Sequence, residues 1–227
     1  HGLVRDSEGQ KMSKTKGNGL DPLDFVDGAS LRELIEKRTT NLTQPQMAKK
    51  IESRTIKEFP DGIAEYGSDS LRFTFCALAT TGRDVRFDVA RIEGYRNFCN
   101  KLWNVAKFAL SNTEDFAPGE TVREAEVSDP INRWIVDRTS HVIHSCRKAL
   151  EEYRFDLYAN HIYEFAWHEY CDWYIEMIKP NFWGDAEASE RRRETQQTML
   201  IVFETILKLA HPVMPFLTET LWQEIRL

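Results

Sequence analysis

The sequence predicts a mostly α-helical protein: a helical bundle preceded by a small loop-and-helix segment. Two observations carry this. Beyond Asp88, apolar residues recur at spacings of three and four through successive long stretches, the mark of helices burying one face. The first ninety residues instead alternate short periodic runs with Gly, Pro, Asp and Ser punctuation, and little of them reads as strand.

In chain order, "HGLVRD" reads as a short extended segment, followed by a glycine turn and a loop through "QKMSK". In "LDPLDFVDG", Asp21 caps a short helix with Pro22 at its first position, and Gly28 ends it. Ser30 caps "LRELIEKRT", whose Leu31, Leu34 and Ile35 share a face and whose Glu33 and Lys37 are spaced to pair. "TQPQMAKKIESRTIKEFP" supports a helix stopped by Pro60, and "GSDSLRFTFCALA" another, capped by Ser68 or Asp69.

Asp88 then caps "VARIEGYRNFCNKLWNVAKFAL", with Ile92, Tyr95, Phe98 or Cys99, Leu102, Trp103 and Ala106 inward. The polar stretch "SNTEDFAPGETVREAEV" is a surface connection. Ser128 caps a second long helix with Ile131, Trp134, Ile135, Val142, Cys146 and Leu150 on its inner stripe. "FDLYANHIYEFAWHEYCDWYIEMIKP" is apolar on almost every side, as a helix surrounded by others must be, and Pro180 ends it. A fourth helix gathers Met199, Phe203, Ile206, Leu207 and Ala210; "HPVMP" turns the chain into a fifth, "FLTETLWQEI". Short connections make the neighbours antiparallel.

The 227 residues are 41% apolar, ample for a buried core. No run approaches the ~18 apolar residues of a membrane helix, and the first residues lack the apolar centre of a signal peptide. Cys76, Cys99, Cys146 and Cys171 form no C-x-x-C pair, which suits a reducing cytoplasm and suggests neither a disulfide framework nor a thiolate zinc site. Net charge is −6, but Leu31–Glu58 carries seven cations against four carboxylates, a local excess of three that suits either a solvated helical surface or a face turned to nucleic acid. A chain opening on His1 rather than Met is expected to be a fragment.

The chemistry is concentrated in "GQKMSKTKGNGLDP". Lysines carry mobile charges suited to phosphate oxygens, and glycines let a backbone approach and move. Lys11 and Lys14, with Ser13 and Thr15 beside them, can therefore close over a triphosphate; an ordinary exposed basic loop is the plain alternative for "KMSKT" alone. With its flanks the pattern is HG-x-x-x-D-x-x-G-x-KMSKT-x-GN-x-x-DP, and it resembles the second signature of the class I aminoacyl-tRNA synthetases, usually written K-M-S-K-S. "NKLWN" and the helices around it are similar to the anticodon-binding domain of that class. The stretch "EKRTTNLTQPQMAKKIESRTIKEFPDGIAEYGSDSLRFT" looks like its valine branch rather than the isoleucine or leucine ones.

That resemblance implies a division into residues 1–28, the end of a Rossmann-type nucleotide-binding domain; 29–87, a connecting segment against the inner side of tRNA; and 88–227, an anticodon-binding bundle. It implies ATP as substrate with magnesium in the whole enzyme, with Lys11, Met12, Ser13, Lys14 and Thr15 at the ATP phosphates and Lys11 and Lys14 as catalytic cations. Charge grows on the departing pyrophosphate when an amino-acid carboxylate attacks the α-phosphate, so cations arriving with the loop favour the transition state. The implied partner is valine tRNA, for a monomeric cytoplasmic ligase without membrane contact. The class's other signature, of H-x-G-H type, is absent from the chain, so this piece is not expected to aminoacylate alone. Two positions depart from the pattern. Thr15 replaces the usual serine, and Gly19 stands where an apolar residue is usual, which weakens the expected anchorage of the loop. Roughly the first twenty residues are expected to be disordered, because the resemblance places their packing surface in the absent catalytic part.

Two further features remain. Tyr153, Phe155, Tyr158, Tyr163, Phe165, Trp167, Tyr170, Trp173 and Tyr174 recur at helical spacing, so most belong to the core, leaving one or two to stack on RNA bases. His161, Glu164 and His168 share a face and His141 and His144 are neighbours, which leaves a helical scaffold or metal-binding bundle without RNA function as the competing reading.

Overall fold

The computed structural model describes residues 2–6, 8–82, 84–114, 127–182 and 190–225. The polar connection expected between the first two long helices lies mostly outside them. Contacts divide the chain into two compact units, His1–Arg96 and Asn97–Leu227.

In the first unit, β1 (Val4–Arg5) pairs in parallel with β2 (Val85–Arg86), Val4 opposite Val85. Between them lie α1 (Pro22–Val26), α2 (Leu31–Thr39), α3 (Ala48–Glu58) and α4 (Ser68–Leu78). Asp21 caps α1 through the Leu23 amide and Pro22 takes the first helical position, as the sequence indicates. Ser30 and Glu33 form a reciprocal capping box on α2. That box consumes the Glu33 carboxylate, so Lys37 pairs with Asp24 of α1 rather than with its helical neighbour. Gly67, not Ser68 or Asp69, precedes α4, with no side-chain cap. The apolar core gathers Phe25, Leu34, Phe59, Ile63, Leu71, Phe87 and Ile92, with Phe25 edge-on to Phe87 at 4.9 Å between ring centres.

The helix α5 (Val89–Ser111) contributes its residues up to Arg96 to the first unit and those from Asn97 to the second, with the Asp88 side chain accepting from the Ala90 amide at its start. The second unit continues with α6 (Pro130–Glu151), α7 (Phe155–Glu164), a π-helical run Phe165–Tyr174, α8 (Ile175–Ile178), α9 (Glu190–Ala210) and α10 (Pro215–Ile225). The π-helical run is the main departure from a 3.6-residue reading. Its buried residues Phe165 and Tyr170, and Ala166 and Cys171, are five apart, the repeat of i→i+5 bonding. Trp103 and Leu150, expected inside, are 39% and 42% exposed; Asn132, Thr139 and Ala149 are buried on α6 instead.

The polar centre of this unit is Glu194. It accepts from the Ser128 hydroxyl at 2.6 Å, the Ser128 and Asp129 amides at 3.0 and 2.9 Å, and Asn132 Nδ2 at 3.0 Å. Ser128 is thus engaged with α9, and the cap of α6 is Asp129, which accepts from the Ile131 and Asn132 amides. Tyr174 donates to Asn132 Oδ1 at 2.8 Å, and Tyr170 to the Met199 carbonyl at 2.7 Å. Burial works against ionisation of Glu194, but the Ser128 and Asn132 hydrogen bonds and the two backbone amides outweigh it and hold its pKa below the usual value.

A depressed folded pKa gives stability that is complete above the ordinary glutamate range and fades as pH falls through the folded value. Glu194→Ala is therefore expected to cost about 3 kcal/mol at neutral pH, since it strands several donors, and urea unfolding should show the gap between wild type and variant narrowing on acidification below pH ~4.

Candidate functional site

The lysine segment leaves β1 through a turn built on Asp6. The Asp6 side chain is only 4% exposed, and its Oδ1 accepts from the Glu8 amide at 3.1 Å and the Gln10 amide at 2.7 Å. Its Oδ2 accepts from Asn18 Nδ2 at 3.0 Å and faces Arg54 of α3 at 3.4 Å. Burial disfavours the charged carboxyl, yet the bonds from Asn18 and Gln10, the Arg54 charge and the Glu8 amide together hold its pKa down.

Asn18 ties the two legs of the loop. Its Oδ1 accepts from the Ser13 amide at 2.9 Å, and its Nδ2, besides bonding Asp6, lies 3.2 Å from the Lys11 carbonyl. Lys14–Lys16 form a single tight turn closed by Gly17 at φ +66°. Arg38, 4% exposed, donates from Nε to the Gly17 carbonyl at 3.0 Å and from Nη1 to Glu58 at 3.0 Å. The Thr43 amide donates to the Thr15 carbonyl at 3.1 Å. Gly17 is a glycine for two reasons: its left-handed backbone, and a close approach that would put a β-carbon 2.5 Å from the Arg38 carbonyl and 2.7 Å from Ile51 Cδ1. Among the described residues of the first twenty, expected to be disordered, the structure has bonded turns instead, because Asp6, Asn18 and Arg38 supply partners that sequence order hides.

The side chains expected to act are distributed unequally. Lys11, Lys14, Thr15 and Lys16 are exposed, and among the described residues none of the three lysines makes an ion pair. The Ser13 and Thr15 hydroxyls are 2.9 Å apart. Met12 is half-buried against the apolar core of the first unit, so its side chain anchors the loop. Of the five, Lys14 alone lines a cleft of ≈ 550 Å³ beside the loop, together with Gly17, Gly19, Asp21, Asp24 and Lys37. Gly19 is part of that wall, where a β-carbon would lie 3.4 Å from the backbone of Ser13 and Lys14, and Leu20 beside it packs on the core. Asp6, Asn18, Arg38 and Thr43 were given no role by the sequence. The D…GN spacing around the lysines is the trace of Asp6 and Asn18 in it.

In Leu31–Glu58, Lys37, Arg38 and Arg54 are spent on Asp24, Glu58 and the Asp6–Glu8 pair, which leaves Arg32, Lys49, Lys50 and Lys57 on the surface. In the second unit most of the aromatic series is buried or half-buried, while Tyr153 and Trp173 are 70% and 64% exposed. His168 is engaged with Glu164 and Asp172, and no group of three or more metal-ligating side chains occurs among the described residues.

A family model described as tRNA synthetases class I (I, L, M and V) matches residues 1–88, and one described as the anticodon-binding domain of tRNA ligase matches residues 132–226. Valine–tRNA ligases of Legionella pneumophila strains Lens, Paris and Philadelphia 1 are each 53% identical over 227 residues, covering 98% of this chain. The chain spans 24% of the length of those relatives. Among solved structures, the ternary complex of Agrobacterium radiobacter K84 agnB2 LeuRS with tRNA and LeuAMS matches at a TM-score of 0.60 and 15% identity, over 99% of this chain and 22% of that one; at this identity the likeness is one of fold.

Replacing Gly17 by alanine is expected to cost about 3 kcal/mol, from the left-handed backbone and the overpacking against Arg38 and Ile51. Thermal unfolding followed by circular dichroism reads this as a lower midpoint, whereas Gly9→Ala, where the added carbon meets nothing within 4 Å, should lose only the backbone part.

Proposed function

The chain belongs to the class I tRNA synthetase family, and on that premise we propose that it is the part of a valine–tRNA ligase running from the ATP-phosphate loop through the anticodon-binding bundle. The observation that carries the reading is the loop itself. Lys11 and Lys14 stand exposed and without ion pairs among the described residues, on a backbone held by Asn18 within the loop and by Arg38 and Thr43 from outside it. Free ammonium groups on a fixed frame are what a polyanion needs.

In the whole enzyme the valine carboxylate attacks the α-phosphate of ATP and pyrophosphate leaves; the tRNA's terminal adenosine hydroxyl then attacks the valyl carbonyl and AMP leaves, and magnesium bound with ATP would supply further positive charge at the phosphates. Lys11 and Lys14 neutralise the charge growing on pyrophosphate. Ser13 and Thr15, with the backbone, hold the loop's working form, and Met12 seats it on the core. Residues 1–28 supply this loop, 29–87 connect to the tRNA stem, and 88–227 take the anticodon. Arg32, Lys49, Lys50 and Lys57 are surface cations available to RNA phosphates, and Tyr153 and Trp173 are exposed rings available to unpaired bases. The setting is a cytoplasmic, monomeric ligase; no helix among the described residues is long and apolar enough to cross a membrane. Among the described residues no cluster of ligating side chains supports a metal-binding bundle.

In the whole ligase, Lys14→Ala is expected to slow single-turnover formation of valyl adenylate on the order of 100-fold. An unchanged rate would refute the assignment. Trp173→Ala is expected to weaken binding of valine tRNA by about 1–3 kcal/mol while leaving adenylate formation alone, measured by filter binding at two salt concentrations.

A further inference from the structure

We infer that Asp6 is a positioning residue for the lysine loop, acting through Asn18 on the placement of Lys11 and Lys14; this rests on the function proposed for that loop. Two features set this carboxylate apart. It is buried, and both of its oxygens are spent on the loop's frame and on Arg54.

The geometry makes Asn18 a switch with fixed polarity. Its carbonyl oxygen accepts the Ser13 amide, which lies between the two lysines, and its amino group reaches both Asp6 and the Lys11 carbonyl. An asparagine flipped end for end would meet the Asp6 carboxylate and the Lys11 carbonyl with an oxygen, and the Ser13 amide with a donor. The Asp6 charge forbids that flip, because a buried carboxylate accepts and does not donate. The backbone at Lys11 and Ser13, and with it the direction in which Lys14 leaves the chain, is therefore set by a group that never reaches the cleft. Arg54 closes the arrangement from α3, facing Asp6 at 3.4 Å and Glu8 at 3.3 Å. Misplacing a group that must meet charge in a transition state costs rate far more than it costs ground-state affinity.

The test is valine-dependent ATP–pyrophosphate exchange in the whole ligase carrying Asp6→Asn, Asn18→Asp, both together, and Lys14→Ala. Each single change at Asp6 or Asn18 should lower kcat on the order of 10- to 100-fold, with KM for valine within about twofold of wild type. The double variant should regain most of the loss, because Asn at position 6 then donates to Asp at position 18, which still accepts the Ser13 amide. Its remaining deficit is the lost bond to the Lys11 carbonyl and the lost ion pair between Asp6 and Arg54. Thermal midpoints of the four proteins identify a variant that fails by unfolding. Two outcomes overturn the inference alone: kcat within twofold of wild type in both single variants while Lys14→Ala is slow, or a double variant no faster than the slower single one with its midpoint intact. An unaltered Lys14→Ala overturns the function proposed for the loop, and this inference with it.

Discussion

The hydrogen bond between the Asp6 carboxylate and the Asn18 side chain is the constraint on which the rest of the first unit's site depends. A buried carboxylate is tolerable only where donors replace the water it has lost. Here the donors are two amides of the turn that follows Asp6, the Asn18 amino group and Arg54. Satisfying Asp6 therefore folds the turn, orients Asn18 and draws the two legs of the loop together in one step. A loop stabilised this way need not use its own lysines to hold its shape. Lys11 and Lys14 are left with their charge in solvent, available to a ligand.

The second unit uses the same device. Glu194 is buried at the start of α9 and is satisfied by donors from residues 128–132, more than sixty positions earlier. It fixes where α6 begins, as Asp6 fixes where the lysine loop begins. In both units an acidic side chain inside does the holding, and the cationic and aromatic side chains outside stay free. Tyr153 and Trp173 are on the surface because Tyr158, Phe165, Tyr170 and Tyr174 already fill the interior, with the Tyr170 and Tyr174 hydroxyls paired to the Met199 carbonyl and Asn132.

Local chemistry was legible in the sequence where one segment contains both partners. Asp21 with Pro22, Ser30 with Glu33 and Asp88 with Ala90 are such cases, and the helices they start are where the pattern puts them. Legibility ends where a residue has a distant competitor. Ser128 has the composition of a helix cap but is taken by Glu194, and Asp129 next to it caps instead. Glu33 has the spacing for Lys37 but is taken by Ser30. The π-helical run was invisible for another reason: a five-residue repeat buries rings that a 3.6-residue wheel scatters around the axis. In the site, the lysines announce themselves by type and spacing. The frame beneath them is tertiary, since Gly17 can be read as a close approach only once Arg38 and Ile51 are beside it.

Amide hydrogen exchange of the unliganded chain tests most directly whether the frame is built in or waits for a ligand. The Gln10 and Ser13 amides, bonded to Asp6 and Asn18, should exchange at least about 100-fold more slowly than an unstructured chain, with no nucleotide present. Exchange of both at the unstructured rate would contradict the account, because the loop would then owe its shape to what it binds and not to the carboxylate beneath it.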